Sequence, residues 1–279
     1  MRSADRATPP QPIVRLTSRQ HALVARFRDA ARHRDTDHVT VVEGATLLDE
    51  AWRAGWSIES AAFSERALED PTIARLFERL TPASSRVVVA ERVLQAMSPA
   101  RTPSGVVALA RAVTRDLDSV FAGDRPLVPV AVDVQDPGNL GGIVRAAEAA
   151  GATGVIATGE SADPYGWKAL RGAMGSAFRL PVVRVSDAGE AVHTCRARGL
   201  RVVAASLEGT LLDAVALDEP CAILLGAEGT GLPAHLLAAA DVRLTIPMQP
   251  PVESLNVAVA AGIILYEARR QRTAPGGGP

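Results

Sequence analysis

The sequence has little that would staple, ligate or anchor a fold. Its cysteines are Cys195 and Cys221 alone, too few for a disulfide scaffold and without metal-type spacing. The histidines His21, His33, His38, His193 and His235 are scattered, with no His-x-x-x-His or Cys-x-x-Cys pairing, so no bound metal is expected. No apolar run is long enough to cross a bilayer. The opening segment MRSADRATPPQP lacks the apolar stretch of a secretory signal and reads as a disordered tail. A reducing cytoplasm is the expected location. Lysine is nearly missing too, Lys168 being the single one.

What is present is ordinary for a globular protein: 279 residues, 47% hydrophobic and 22% charged, enough for a substantial core. The net charge of −1 is low for a nucleic-acid binder, because phosphate contacts normally leave a basic footprint. The distribution matters more. Residues 19–34 gather Arg19, Arg26, Arg28, Arg32 and Arg34 against Asp29 alone. Arginine suits bidentate phosphate contacts. A general arginine bias of the chain accounts for the same cluster.

Strand and helix patterns alternate in two successive α/β units. The first, 16–113, opens with an amphipathic helix at 18–34. Strands follow at HVTVVEG, SIESAAFS, RVVVAE and GVVALARAV, with helices at ATLLDEAWRAG, PTIARLFERL and RVLQAM between them. Such alternation implies a mainly parallel sheet sandwiched by helices. Residues 114–126 lose periodicity and contain Gly123 and Pro126, which marks a linker. The second unit, 127–272, opens with LVPVAVDV, apolar enough to be buried on both faces. Further strands are expected at GVIATG, PVVRVS, RVVAAS, CAILLG and VRLTIP, with a last helix over about 254–272 and a flexible tail at 273–279.

Three stretches of this unit carry chemistry. In AVDVQDPGNLGGIVRA, 131–146, PGNLGG reads as a glycine turn between strand and helix, with Asn139 available to cap the helix and first-turn amides to receive an anion. A dinucleotide-binding loop is the rival reading. It fails because G-N-L-G-G is not G-x-G-x-x-G, and no acid closes a second strand about 20 residues on. Arg145 sits among Ile, Val and Ala, either paired with Glu148 at i,i+3 or free for function. LLGAEGTGL, 224–232, sets Glu228 among Gly226, Gly229 and Gly231, where backbone can approach a ligand closely. IPMQPPVESLNVAVAAGIILYE, 246–267, leads from a Pro-rich loop into a helix apolar on nearly every face, hence one to be buried in the core or against a second subunit. Asn256 is the strongly polar side chain of its first turns, and a buried carboxamide needs partners, structural or ligand.

In order and spacing these stretches resemble the three signature motifs of the SpoU (TrmH) class of SPOUT RNA 2′-O-ribose methyltransferases. They stand here as Asn139/Gly142/Arg145, as Gly226/Glu228/Gly231/Leu232, and as Ile246/Pro247/Met248 with Glu253/Ser254/Leu255/Asn256. The intervening ALRGAMGSAFRLPV, 169–182, is similar as well. Upstream, VVEGATLLDEAWRAG and SPARTPSGVVALA resemble the small α/β ribosomal-protein-like RNA-binding domain that precedes the catalytic domain in many members.

The resemblance implies a C-terminal α/β domain tied in a trefoil knot, and a homodimer formed through it. It further implies S-adenosylmethionine as methyl donor, held largely by backbone, with Leu225, Gly226, Ile246, Met248 and Leu255 at the pocket, and structured RNA, ribosomal or transfer, as substrate. Arg145 would stabilise the ribose oxygen and touch phosphate; Asn139, Glu228, Ser254 and Asn256 would position it; Arg171 would contact RNA. A catalytically silent RNA-binding protein on the same scaffold and a nicotinamide-dependent oxidoreductase are the competing expectations.

Overall fold

The structure is a computed structural model that describes residues 14–32, 39–80 and 85–273. The tails expected at 1–15 and 273–279 lie outside these residues except for Val14, Arg15 and Thr273, which belong to regular elements; Arg34 lies outside as well. The chain divides into two compact units after Ala112.

The first unit runs β1 (Val14–Leu16), α1 (Ala22–Ala31), β2 (Val39–Glu43), α2 (Ala45–Arg53), β3 (Ser57–Ser64), α3 (Pro71–Arg79), β4 (Ser85–Val89), α4 (Glu91–Met97) and β5 (Val106–Arg111). Its sheet has the order β1-β4-β3-β5-β2. β1, β3 and β4 pair in parallel, whereas β5 runs antiparallel to both β2 and β3. Four of the five strands thus run the same way, the mainly parallel sheet expected from the alternation, and β5 runs against them. The start of β5 is tied to the carboxyl ends of its neighbours, the Gly105 carbonyl accepting the Ser64 amide and the Val106 carbonyl the Gly44 amide, each at 2.9 Å, so β5 runs back against them. The chain turns through residues 98–105 and re-enters from the edge that β4 had left.

The second unit runs β6 (Leu127–Val132), α5 (Pro137–Ala150), β7 (Val155–Thr158), α6 (Trp167–Ala173), α7 (Ser176–Arg179), β8 (Val182–Val185), α8 (Ala188–Ala197), β9 (Arg201–Leu211), β10 (Cys221–Leu225), α9 (Ala234–Ala239), β11 (Val242–Thr245) and α10 (Val257–Thr273). All its strand pairs are parallel, in the order β11-β9-β10-β6-β7-β8. β6 and β10, central and apolar throughout, are buried at every residue, as strands covered on both faces must be. After β10 the chain passes β9 to add β11 at the edge, and α10 then returns to pack on α5.

Within the expected linker, Leu117–Phe121 form a 3-10 turn whose Val120 is fully buried in this unit's core. Thr153 Oγ1 donates to the Val120 carbonyl at 2.6 Å, and a Cβ on Gly154 would lie 2.5 Å from that of Val120. A side chain at residue 154 would push this turn off the sheet.

Candidate active site

Parallel strands deliver their carboxyl ends to one edge, and the connections that leave β6, β10 and β9 meet there. After β6, the chain enters α5 at Pro137, so Gly138, Gly141 and Gly142 are helical rather than a turn. Glycine inside a helix costs about 1 kcal/mol relative to alanine. Packing explains its presence. A Cβ on Gly141 would stand 2.4 Å from the Ala169 carbonyl and 2.9 Å from the Ala173 amide, so the backbone of α6 lies directly on α5. One on Gly142 would stand 3.0 Å from Ala258 Cβ, so the first turn of α10 lies on the next face.

Asn139 does not cap α5. Asp136 does, accepting the Asn139 amide at 2.8 Å, and its carboxylate stands where a bound anion had been expected. The side chain of Asn139 is thereby free for another partner, which is Asn256.

α10 starts at Val257, not at Ser254, because Asn256 caps it: Asn256 Oδ1 accepts the amides of Ala258 at 3.0 Å and Val259 at 3.2 Å. Those backbone donors fix which way the carboxamide faces. Its Nδ2 then points to Asn139 Oδ1 at 3.0 Å and Glu228 Oε1 at 2.5 Å. One side chain thus joins all three stretches singled out in the sequence. Asn256 is exposed rather than buried, so its partners are set by geometry and not by desolvation. With Asn139 Oδ1 engaged, the Asn139 amide nitrogen is left to donate outward.

Glu228 is held by a tight turn. The Gly231 amide donates to the Ala227 carbonyl at 2.9 Å, and Gly229 and Gly231 take φ of +85° and +67°, which side-chain-bearing residues rarely adopt. Gly226 has no room for a side chain, since a Cβ would lie 2.3 Å from the Gly231 carbonyl carbon.

A cavity of about 790 Å³ opens beside this turn. Leu225, Gly226, Ile246, Met248 and Leu255 line it, together with Glu228, Ser254 and Asn256. Its charged lining comprises Glu208, Glu228, Glu253 and Arg243, three carboxylates against one guanidinium. Apolar walls, bare glycine backbone and excess negative charge suit a ligand with a flat apolar part and a net positive charge. Among the described residues no cluster of His, Cys, Asp and Glu could hold a metal ion.

Residues 206–208 also line the cavity, and no motif pointed to them. They belong to β9, expected to end at RVVAAS but continuing to Leu211. The only signal was an acid between a strand pattern and Gly209, which is too common to single out.

Arg145 lies outside the lining, on the exposed face of α5, three residues beyond Gly142. Among the described residues it has no hydrogen bond or ion pair. Its expected partner Glu148 is taken by Arg179, whose Nε and Nη2 donate at 2.7 and 2.9 Å. Hydrogen bonding from Arg179 holds the Glu148 carboxyl below its usual range against the opposing effect of burial. Arg171 is exposed on α6, its guanidinium 6.0 Å from the ring centroid of Trp167, and it does not reach the cavity.

In the first unit much of the basic segment is engaged internally. Arg19 and Arg28 donate to the carbonyls of Arg92 and Ala96, each at 3.0 Å, and Arg26 pairs with Glu59. Arg32 is exposed, with no partner among the described residues.

Comparison with known proteins agrees with this geometry. The family model described as the SpoU rRNA Methylase family matches residues 126–266, and one described as an MRM3-like substrate binding domain matches residues 24–108. Over 239 residues, 85% of this chain and 91% of the other, the sequence is 32% identical to the 23S rRNA (guanosine(2553)-2′-O)-methyltransferase RlmP of Bacillus subtilis. It is also 32% identical to the 23S rRNA (uridine(2479)-2′-O)-methyltransferase of Streptomyces viridochromogenes, with 83% of each chain covered. The crystal structure of the SpoU methyltransferase AviRb from Streptomyces viridochromogenes, in complex with the cofactor AdoMet, superposes with a TM-score of 0.83. That match is at 29% identity and covers 91% of this chain and 99% of that one.

Proposed function

The chain belongs to the SpoU rRNA methylase family, and from that membership we propose that it transfers a methyl group from S-adenosylmethionine to a ribose 2′-hydroxyl of ribosomal RNA. The observation that carries the reading is the Asn256 carboxamide, which draws Asn139, Glu228 and the start of α10 together at the mouth of an acidic, glycine-lined cavity. The donor is a nucleoside with an electrophilic methyl group on a sulfonium, and its net positive charge fits the three carboxylates. In this reading Leu225, Gly226, Ile246, Met248 and Leu255 hold it by apolar contact and backbone groups, and the trefoil knot is the return path of α10 past β9.

The nucleophile is a ribose hydroxyl, weak until its proton leaves or its growing charge is stabilised. Arg145 serves the second purpose. A guanidinium stays protonated in proteins, so it is not the base. Helical side chains lean toward the N-terminus of their helix, so a long side chain at Arg145, one turn beyond Gly142, is placed to reach toward the end carrying Asn139. There it stabilises the alkoxide and grips the adjoining phosphate, while a phosphate oxygen or a water takes the proton. The outward amide of Asn139 and the hydroxyl of Ser254 orient the ribose, and Arg171 touches RNA further along. Arg145→Ala should lower methyl transfer by about 100- to 1,000-fold and leave donor binding by calorimetry unchanged; near-normal turnover would refute the assignment.

The first unit supplies a second grip on RNA, which the match to a substrate binding domain supports. Gel shifts on ribosomal RNA fragments, with and without residues 1–112, measure its share. The target nucleotide does not carry over from relatives, since two of equal identity are named for guanosine and for uridine.

A homodimer is the assembly we propose. α10 is not covered all round: Val259, Ile263 and Tyr266 are 51, 38 and 69% exposed and follow one face at i, i+4 and i+7. The same face of a second copy would cover this stripe. Sedimentation should find a dimer for the wild type and a monomer for Ile263→Asp; a monomeric wild type would sink this part.

A further inference from the structure

The segment 205–209 points to a donor contact made by a side chain. Between the pairings Ala204↔Arg243 and Thr210↔Leu244, β11 advances by one residue while β9 spends five extra, so these five leave the sheet. The excursion is fastened along its length. Ser206 Oγ donates to the Glu208 carbonyl, Thr245 Oγ1 donates to the Leu207 carbonyl at 3.0 Å, and a Cβ on Gly209 would lie 2.4 Å from the Arg243 carbonyl oxygen. A loop held at so many points presents its one unpaired polar side chain in a defined place. That side chain is Glu208, which lines the cavity and whose carboxylate has no partner among the described residues.

Strand order sets how far it lies from the transfer end of the site. Asn139 follows β6, Glu228 follows β10, and Glu208 leaves β9, on the side of β10 away from β6. Neighbouring strands lie about 4.8 Å apart, so Glu208 sits on the order of 10 Å across the edge from the Asn139 connection. The methyl group must face the Asn139 side, where Arg145 and the RNA are placed, so the other two arms of the sulfonium, nucleoside and amino acid, extend away from it and either can reach the β9 side. Of the other carboxylates in the lining, Glu228 already accepts from Asn256, and Glu253 is three residues from Asn256, at the transfer end. A vicinal diol offers two O–H donors, and a carboxylate offers two acceptor oxygens in matching geometry.

We propose that Glu208 is a donor-binding residue, accepting hydrogen bonds from the two ribose hydroxyls of the donor nucleoside. This rests on the methyl-donor reading of the cavity and adds a ribose contact to the apolar and backbone contacts of Leu225, Gly226, Ile246, Met248 and Leu255.

Calorimetry on the full chain tests it with S-adenosylmethionine and its 2′,3′-dideoxy analogue, against wild type and Glu208→Gln. The wild type should bind the analogue about 10- to 100-fold more weakly than the parent, since charge-assisted hydrogen bonds are lost. Glu208→Gln should weaken the parent by a similar factor and bind both ligands about equally, as two changes to one interaction are not additive. Parent affinity unaltered by Glu208→Gln overturns the proposal, and so does a loss as large for the analogue as for the parent. If the variant unfolds, the wild type decides alone: equal affinity for the two ligands overturns it. Failure of the wild type to bind either ligand would instead strike the methyl-donor reading itself, whereas binding with an indifferent variant strikes only Glu208.

Discussion

The two ends of α10 use the same kinds of side chain in opposite ways. At the far end, Arg272 donates from Nε to Leu217 at 2.9 Å, from Nη1 to Arg125 at 2.6 Å and from Nη2 to Glu219 at 2.6 Å, all backbone carbonyls. Gln271 beside it accepts the Leu217 amide at 2.7 Å and donates to the Val215 carbonyl at 3.0 Å. Every useful valence there is spent on the chain itself. Near the other end, the guanidinium of Arg145 has no partner among the described residues, although Glu148 stands one helical turn away and is bound by Arg179. Asn256 is satisfied, but in a way that leaves the Asn139 amide and one Glu228 oxygen open. Residue type does not separate structure from function here. Unspent hydrogen-bonding capacity does, and an anchored far end is what lets the near end hold it in place.

The comparison breaks if the near end is only a helix cap. Asn256→Ala should cost the fold about 1 kcal/mol, the usual worth of an N-cap. Methyl transfer should fall about 100-fold or more, because Asn139 and Glu228 lose their common tether and a 1 Å misplacement is enough for that. Asn256→Asp sharpens the test. Aspartate caps as well as asparagine, so unfolding should return to normal; but it sets a carboxylate against Glu228 and has no amide to donate, so activity should stay low. Recovery of activity would reduce Asn256 to a cap. A smaller effect is expected at the far end. Arg272→Ala should lower stability to urea by about 2 kcal/mol through carbonyls left unpaired, with donor affinity of the folded protein unchanged. A loss of donor affinity without a shift in the unfolding midpoint would show that the two ends are not separable. Gln271→Ala, which removes neutral hydrogen bonds, should cost about 1 kcal/mol.

Much of this architecture was readable from the residues. SIESAAFS is β3 to the residue, and LVPVAVDV contains the buried β6. The motif residues Leu225, Gly226, Glu228, Ile246, Met248, Ser254, Leu255 and Asn256 share one cavity. Other features were misread for identifiable reasons. Gly138, Gly141 and Gly142 look like a turn because glycine breaks helices locally, but here Gly141 and Gly142 serve contacts with Ala169 and Ala258, far along the chain. The last helix was expected to start at Ser254, but the Asn256 cap starts it at Val257.

What the sequence determined by itself is local: strand and helix periods, and the glycine-permitted turn of Gly229 and Gly231; even the caps, Asp136 and Asn256 in place of Asn139 and Ser254, use near-neighbour hydrogen bonds of the kind expected. These follow from backbone sterics and from hydrogen bonds between near neighbours, which act within a few residues. Only the tertiary structure decided that Arg179 rather than Arg145 takes Glu148, that β9 sheds five residues of which four line the cavity, and that one carboxamide spans three connections. Each depends on which strands lie side by side, and that is settled by closing the sheet and burying both its faces, a property of the whole unit and not of any segment.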